Sequence, residues 1–299
     1  MSAPTPPGKT AAPDDLREGH FIGAQELARQ LAEGAAPVLL DIRFRPGLAQ
    51  PEAEYDAGHL PGAHYVHLPA VLADAGPHRP AVDGALPLPE VDTLQHALRS
   101  YGINNDSAVV VYDNRHGLSA ARAWWVLKWA GLVNVRVLDG GYGYWQSLGL
   151  PTTTQRPDTG AGSIALNAGL SPVSGNLATI ATDEAAAFPH SGILLDARER
   201  EHFVGTPGDP PAHIPGAITF PSSSNLDENG LLLPSEVLRA QAEAIGLTPG
   251  AAVGTYCGAG VLAAHKVLTL ATLGIEAALY VGSWSAWSAS AAGREPEGQ

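Results

Sequence analysis

The chain predicts an α/β protein made of two tandem domains, each a mostly parallel sheet flanked by helices, and three observations carry that expectation. Apolar runs of strand length alternate with segments of helical spacing along the 299 residues, the pattern of parallel sheets covered on both faces. Landmarks recur twice in the same order: Val38-Leu39-Leu40-Asp41-Ile42-Arg43 returns as Ile193-Leu194-Leu195-Asp196-Ala197-Arg198, and His59-Leu60-Pro61-Gly62-Ala63 returns as His213-Ile214-Pro215-Gly216-Ala217. The offset drifts only from 155 at Asp41/Asp196 to 142 at Gly140/Gly282. An order kept across so many residues marks duplication. The third observation is length, which allows one large domain or two of ordinary size, and the repeat selects the second.

Each element follows from its own stretch. Met1 to Asp15 is rich in Pro and Ala, without an apolar core or a cluster of positive charge, and reads as a disordered tail (1–15), not a signal peptide. The first domain is expected over 16–155. Its elements are an amphipathic helix over 21–31, a buried strand over 38–43 ending in charge, and a turn over 55–66 that leads into a short strand. A helix over 90–100, a strand over 108–112, a helix over 118–129 closed near Gly131, and a strand and turn over 135–141 complete it. A Pro/Gly/Thr-rich connector (156–172) leads to the second domain (173–299). There the strand 193–198, the strand before Cys257, a helix from Val261, and the segment Tyr280 to Trp287 repeat the order.

Composition excludes several functions. A net charge of -13 argues against nucleic acid or an anionic membrane surface as partner, and no apolar run approaches the roughly 18 residues of a membrane span. The single cysteine cannot form an internal disulfide, so a reducing, cytoplasmic setting is expected. His64 and His67 are spaced like a metal pair, but no Cys or carboxylate cluster completes a site, so no metal is expected. No cofactor is expected either.

That cysteine organises the functional reading. Cys257-Gly258-Ala259-Gly260-Val261-Leu262 follows an apolar strand and opens a helix, where α/β proteins put ligands and chemistry. The two glycines let the backbone turn its N–H groups inward, and the helix N-terminus behind them favours negative charge. A thiolate at that rim should be stabilised and nucleophilic near neutral pH. In the first half Asp113 stands where Cys257 stands in the second, and a carboxylate cannot do a thiolate's work, so only the second domain is expected to be catalytic.

With these residues the chain resembles the tandem-domain rhodanese family, sulfurtransferases that use thiosulfate or 3-mercaptopyruvate. The likeness rests on Asp-x-Arg and His-Leu/Ile-Pro-Gly-Ala in each half, Asp113, the Cys257 loop, and Gly282-Ser283-Trp284-Ser285-Ala286-Trp287. It implies a Cys257 persulfide, filled by a small-molecule sulfur donor and emptied by cyanide, a thiol or a thioredoxin-like acceptor. Gly258 and Ala259 are closer to the mercaptopyruvate type than to the Arg and Lys that follow the cysteine in thiosulfate enzymes. Related cysteine phosphatases carry an arginine six residues after the cysteine; Ala263 here disfavours phosphoryl chemistry. The family's arginine before an aromatic is His202 here, with Arg200 two residues earlier, so both are anion-binding candidates. Arg198 is expected to be structural or electrostatic, and His59, toward the interdomain cleft in tandem rhodaneses, is a proton-donor candidate. His265 and Lys266 either lend charge to the site or are solvated. Trp124, Trp125 and Trp129 read as core or domain interface. A protein-to-protein sulfur carrier and a non-catalytic scaffold are the alternatives.

Overall fold

The computed structural model describes residues 13–158, 160–171, 174–206 and 212–294. Among these residues nine strands form two sheets: β1 (Phe21–Ile22), β2 (Val38–Asp41), β3 (Ala63–Tyr65), β4 (Val109–Tyr112) and β5 (Val135–Leu138), then β6 (Ile193–Asp196), β7 (Ile218–Thr219), β8 (Val253–Tyr256) and β9 (Ala278–Leu279). The first-half helices are α1 (Pro13–His20), α2 (Ala24–Ala32), α3 (Pro51–Asp56), α4 (Leu68–Val71), α5 (Val91–Ser100), α6 (Ala120–Trp129) and α7 (Gly141–Ser147). Those of the second half are α8 (Thr182–Ala187), α9 (Arg200–Val204), α10 (Ser235–Ala244), α11 (Val261–Ala271) and α12 (Ser283–Ala289). No described helix is long and apolar enough to cross a membrane.

Both sheets are wholly parallel, in the orders β1-β5-β4-β2-β3 and β7-β6-β8-β9. Reading one order backwards superposes the two halves, with a single parallel bridge, Thr179 to Leu279, in the place of β1. The duplication extends to side chains. Tyr112 and Tyr256, last in β4 and β8, accept the N–H of Leu60 and Ile214 at 3.1 and 3.0 Å, tying each Pro-Gly turn to its central strand.

Two expectations shift at their edges. Phe21 and Ile22 are not the first turn of a helix; they pair with Val137 and Leu138 as β1, and Gly23 in extended conformation starts α2. Of the tail expected over 1–15, residues 1–12 lie outside the described ones, and from Pro13 the chain is helix. That helix is anchored by Arg17, which donates to the carbonyls of Leu232 and Leu233 and pairs with Asp139. The connector runs along the first half: Gly160 N and Gly162 N donate to Ser100 O and Arg99 O, and Ile164 is buried.

The centre of the molecule is the contact between α6 and α11, the helices that follow Asp113 and Cys257. Residues 120–127 of α6 and 263–270 of α11 are all buried. A helix buried all round needs neighbours on every side, and each of these finds a sheet on one flank and its counterpart on the other. One apolar cluster therefore spans both halves. Trp124, Trp125 and Trp129 lie within it, the last two stacked with centroids 6.4 Å apart.

Candidate active site

β8 delivers Cys257 to the carboxyl edge of its sheet, and α11 begins four residues later at Val261. Gly260 makes the corner in left-handed conformation (φ +75). A Cβ there would lie 2.8 Å from Val281 O and 3.1 Å from Arg122 Nη1, so glycine is required both for the backbone angle and for space. The loop's carbonyls are held from outside: Trp284 N donates to Cys257 O at 2.9 Å and Ser285 N to Gly258 O at 3.0 Å, while Cys257 N donates to Ser283 Oγ at 3.2 Å. Ser283 itself has φ +52. By contrast, no acceptor among the described residues receives the N–H of Gly258, Ala259, Gly260, Val261 or Leu262. Five consecutive donors at a helix N-terminus favour an anion.

The first half shows what such a loop does with negative charge. Asp113 Oδ1 accepts from Arg115 N (2.7 Å) and Gly117 N (2.9 Å), and Oδ2 from Ser119 N (2.5 Å) and Ala120 N (2.7 Å). These bonds cap the start of α6, which opens at Ala120, two residues after the Leu118 expected. The carboxylate fills its own cradle; the Cys257 cradle has no such occupant.

Cys257 is 2% exposed. The first half packs on the segment that holds its loop. The 3₁₀ turn Ala81–Asp83 packs on α12, Ala85 N donates to Ser285 Oγ at 2.9 Å, and Gly84 (φ +89) meets Gly282 so closely that an added Cβ would come within 2.7 Å of Gly282 O. A cavity of about 480 Å³ opens beside this contact between Glu90, Trp129, Thr182, Tyr280 and Gly282, without reaching the cysteine.

The remaining sequence candidates separate. Arg198 is committed to structure: it pairs with Asp196, donates to Ala212 O at 2.7 Å, and lies 4.9 Å from the centre of the Trp284 ring. Arg43 and Asp41 make the same pair in the first half. Arg200 and His202, on α9, are exposed. His59 is not free to donate: it is fully buried, its ring nitrogens face Tyr55 O (2.9 Å) and Gln155 O (3.1 Å), and it stacks on Tyr55 at 3.8 Å. Its counterpart His213 stacks on Phe203 at 3.9 Å and faces Phe203 O. Both histidines brace their turns.

His265 and Lys266 are not solvated. Both are fully buried in α11. Lys266 Nζ donates to Asn225 Oδ1 (2.6 Å) and Pro221 O (3.1 Å) over the Phe220 ring, and burial holds it well below its ordinary range. Burial pushes His265 down to about 3, aided by Lys266 beside it. No cluster of three or more His, Cys, Asp or Glu side chains among the described residues could hold a metal ion.

The residue missed in the sequence is Arg122. It is fully buried in α6, and its Nη2 donates to Leu86 O at 3.0 Å. A single arginine among the apolar residues 120–127 was the available signal.

Fold and site together define a duplicated, parallel α/β protein with one cysteine loop shaped for an anion and one whose anion is its own aspartate. The rhodanese-like domain model matches residues 23–148 and 181–290, and the chain belongs to that family. It is 42% identical over 273 residues to SseB of Mycobacterium tuberculosis, which carries a provisional name as a thiosulfate sulfurtransferase, covering 90% of this chain and 93% of that one. It is 32% identical over 279 residues to the 3-mercaptopyruvate sulfurtransferase of Escherichia coli, covering 91% and 95%. The crystal structure of SseA from Escherichia coli aligns with TM-score 0.72 at 31% identity, over 88% of this chain and 98% of that one.

Proposed function

We propose that the chain is a sulfurtransferase whose second half is catalytic and whose first half is not, working through a persulfide on Cys257. The thiolate attacks the outer sulfur of the donor. With thiosulfate the sulfur–sulfur bond breaks and its electron pair leaves with sulfite; with 3-mercaptopyruvate the carbon–sulfur bond breaks and the resulting enolate takes up a proton as pyruvate. In both cases the negative charge ends on the outer persulfide sulfur. An acceptor then attacks that sulfur, and the pair of the breaking bond returns to Cys257: cyanide leaves as thiocyanate, a small thiol or a thioredoxin-like dithiol as its persulfide.

The observation that carries this reading is the set of five uncommitted amides following Cys257, beside a twin loop whose amides hold a carboxylate. Such donors stabilise a charged sulfur without reorganising as charge moves onto it. Among donors, 3-mercaptopyruvate is favoured over thiosulfate because Gly258 and Ala259 bring no cation for a sulfonate. A reducing cytoplasm would keep the thiol free.

Intact-mass measurement after incubation with each donor tests the proposal. A gain of about 32 Da, absent in Cys257→Ser together with turnover, is expected. An unchanged mass with both donors would remove the persulfide from consideration, and kcat/KM for the two donors ranks them.

A further inference from the structure

Arg122 has more hydrogen-bonding capacity than the fold uses. Its Nη2 is directed at the carbonyls of Leu72 (3.4 Å), Leu86 (3.0 Å) and Pro87 (3.4 Å), but Nε and Nη1 have no partner among the described residues. Burying a cation with two of its nitrogens idle is costly unless something else compensates. The free Nη1 gives the direction: it lies 3.1 Å from where a Gly260 Cβ would stand. The guanidinium therefore abuts the corner of the Cys257 loop at the one position where a side chain would keep it away.

Other charged groups around the loop are occupied. On α11, Lys266 is bound to Asn225 and Pro221, and His265 is buried neutral. Beyond β6, Arg198 is paired with Asp196. On the covering segment, Arg79 is paired with Asp74 and Glu90. Burial pushes Arg122 down to about 10, and the negative charge of Cys257 is what opposes that fall.

We propose that Arg122, supplied by the half of the chain that has no cysteine, is the positioning cation for the anionic sulfur of Cys257, first as thiolate and then as the outer sulfur of the persulfide. The second clause rests on the persulfide reading above; the first does not. The duplicated architecture then has a function beyond shape. The first half spends its own loop on Asp113 and sends a cation from α6 to its partner's loop.

The test is the pH profile of Cys257 alkylation by iodoacetamide in the full chain, followed by intact mass, since this is the only cysteine. The wild-type midpoint is the reference. Replacing the charge in Arg122→Met should raise it by roughly one to three pH units, and Arg122→Lys should restore part of the shift. Arg122→Gln, which can still donate to Leu86 O, carries the same test where the methionine variant does not fold. A folded neutral variant with the wild-type midpoint would overturn the inference. The donor-dependent mass gain on the same samples separates the two ideas. A midpoint that moves in a protein that never gains sulfur removes only the persulfide, whereas a protein that gains sulfur with an unmoved midpoint removes only the role of Arg122.

Discussion

Asp113 and Cys257 hold the same position in the two halves, one residue past β4 and β8, and the helices that follow them pack on each other at the centre of the molecule. The two loops differ in length to the helix: α6 starts seven residues after Asp113, α11 four after Cys257. The longer loop wraps a carboxylate with four amides, and the tighter one keeps its amides for something else.

Replacing Asp113 should therefore damage folding and not chemistry. Asp113→Asn turns one acceptor oxygen into a donor facing amide donors, which leaves buried N–H groups unpaired at a cost of about 2–4 kcal/mol. Chemical denaturation of the full chain is expected to show that loss. The kcat of the fraction that remains folded should stay near wild type.

The tight contact between Gly84 and Gly282 governs how closely the first half covers the active loop. In Gly84→Ala the new methyl would sit 2.7 Å from Gly282 O and 2.9 Å from Gly282 Cα, at φ +89. Backbone atoms cannot yield that distance, so the segment around Ala81–Asp83 must lift from α12. Cys257, 2% exposed in the intact protein, should then react faster with a bulky maleimide. Unchanged labelling in a folded variant would show that access does not run past this segment.

His265 makes stability depend on acid. Its folded value is near 3 and the ordinary value 6.5, so between those limits the unfolded chain binds a proton that the folded chain refuses. Stability from this group is complete above about pH 6.5 and falls with pH at about 1.4 kcal/mol per unit, reaching about 2 kcal/mol by pH 5. Neither ring nitrogen has a partner among the described residues, so His265→Leu orphans nothing. Its unfolding free energy should drop less than that of wild type between pH 7 and pH 5, by about that amount.

How far the sequence foretold these features depends on where each one's cause lies. The two sheets were legible because buried parallel strands announce themselves as apolar runs, and the repeat showed that there are two of them; the order of strands within each sheet left no such mark. The Cys257 loop was legible because glycine marks its corner. What escaped depends on the other half of the molecule. His265 and Lys266 look solvated on an isolated domain, yet α6, the Ser222–Asn225 turn and the sheet enclose α11. Arg122 has no meaning until Gly260 of the other half is seen opposite it. His59 looked like a proton donor because its stacking on Tyr55 and its bond to Gln155 O, across the connector, leave no periodic trace.

The duplication also supplies an internal control for Arg198. Arg198 and Arg43 each neutralise a fully buried aspartate at the end of equivalent strands, Asp196 in β6 and Asp41 in β2. Removing either arginine strands that charge, and Arg43→Met and Arg198→Met should each cost about 3–5 kcal/mol of stability. Only Arg198 also lies beneath Trp284, whose backbone N–H holds Cys257 O at 2.9 Å. Loss of that support should let the loop carbonyl move and misplace the sulfur against its amides, where an error of about 1 Å can cost up to roughly 100-fold in rate. Steady-state assays of the folded proteins should show kcat/KM reduced about 10-fold or more in Arg198→Met and near wild type in Arg43→Met. Equal losses in both would mean that the arginine acts through stability alone and that Trp284 does not transmit its position to Cys257.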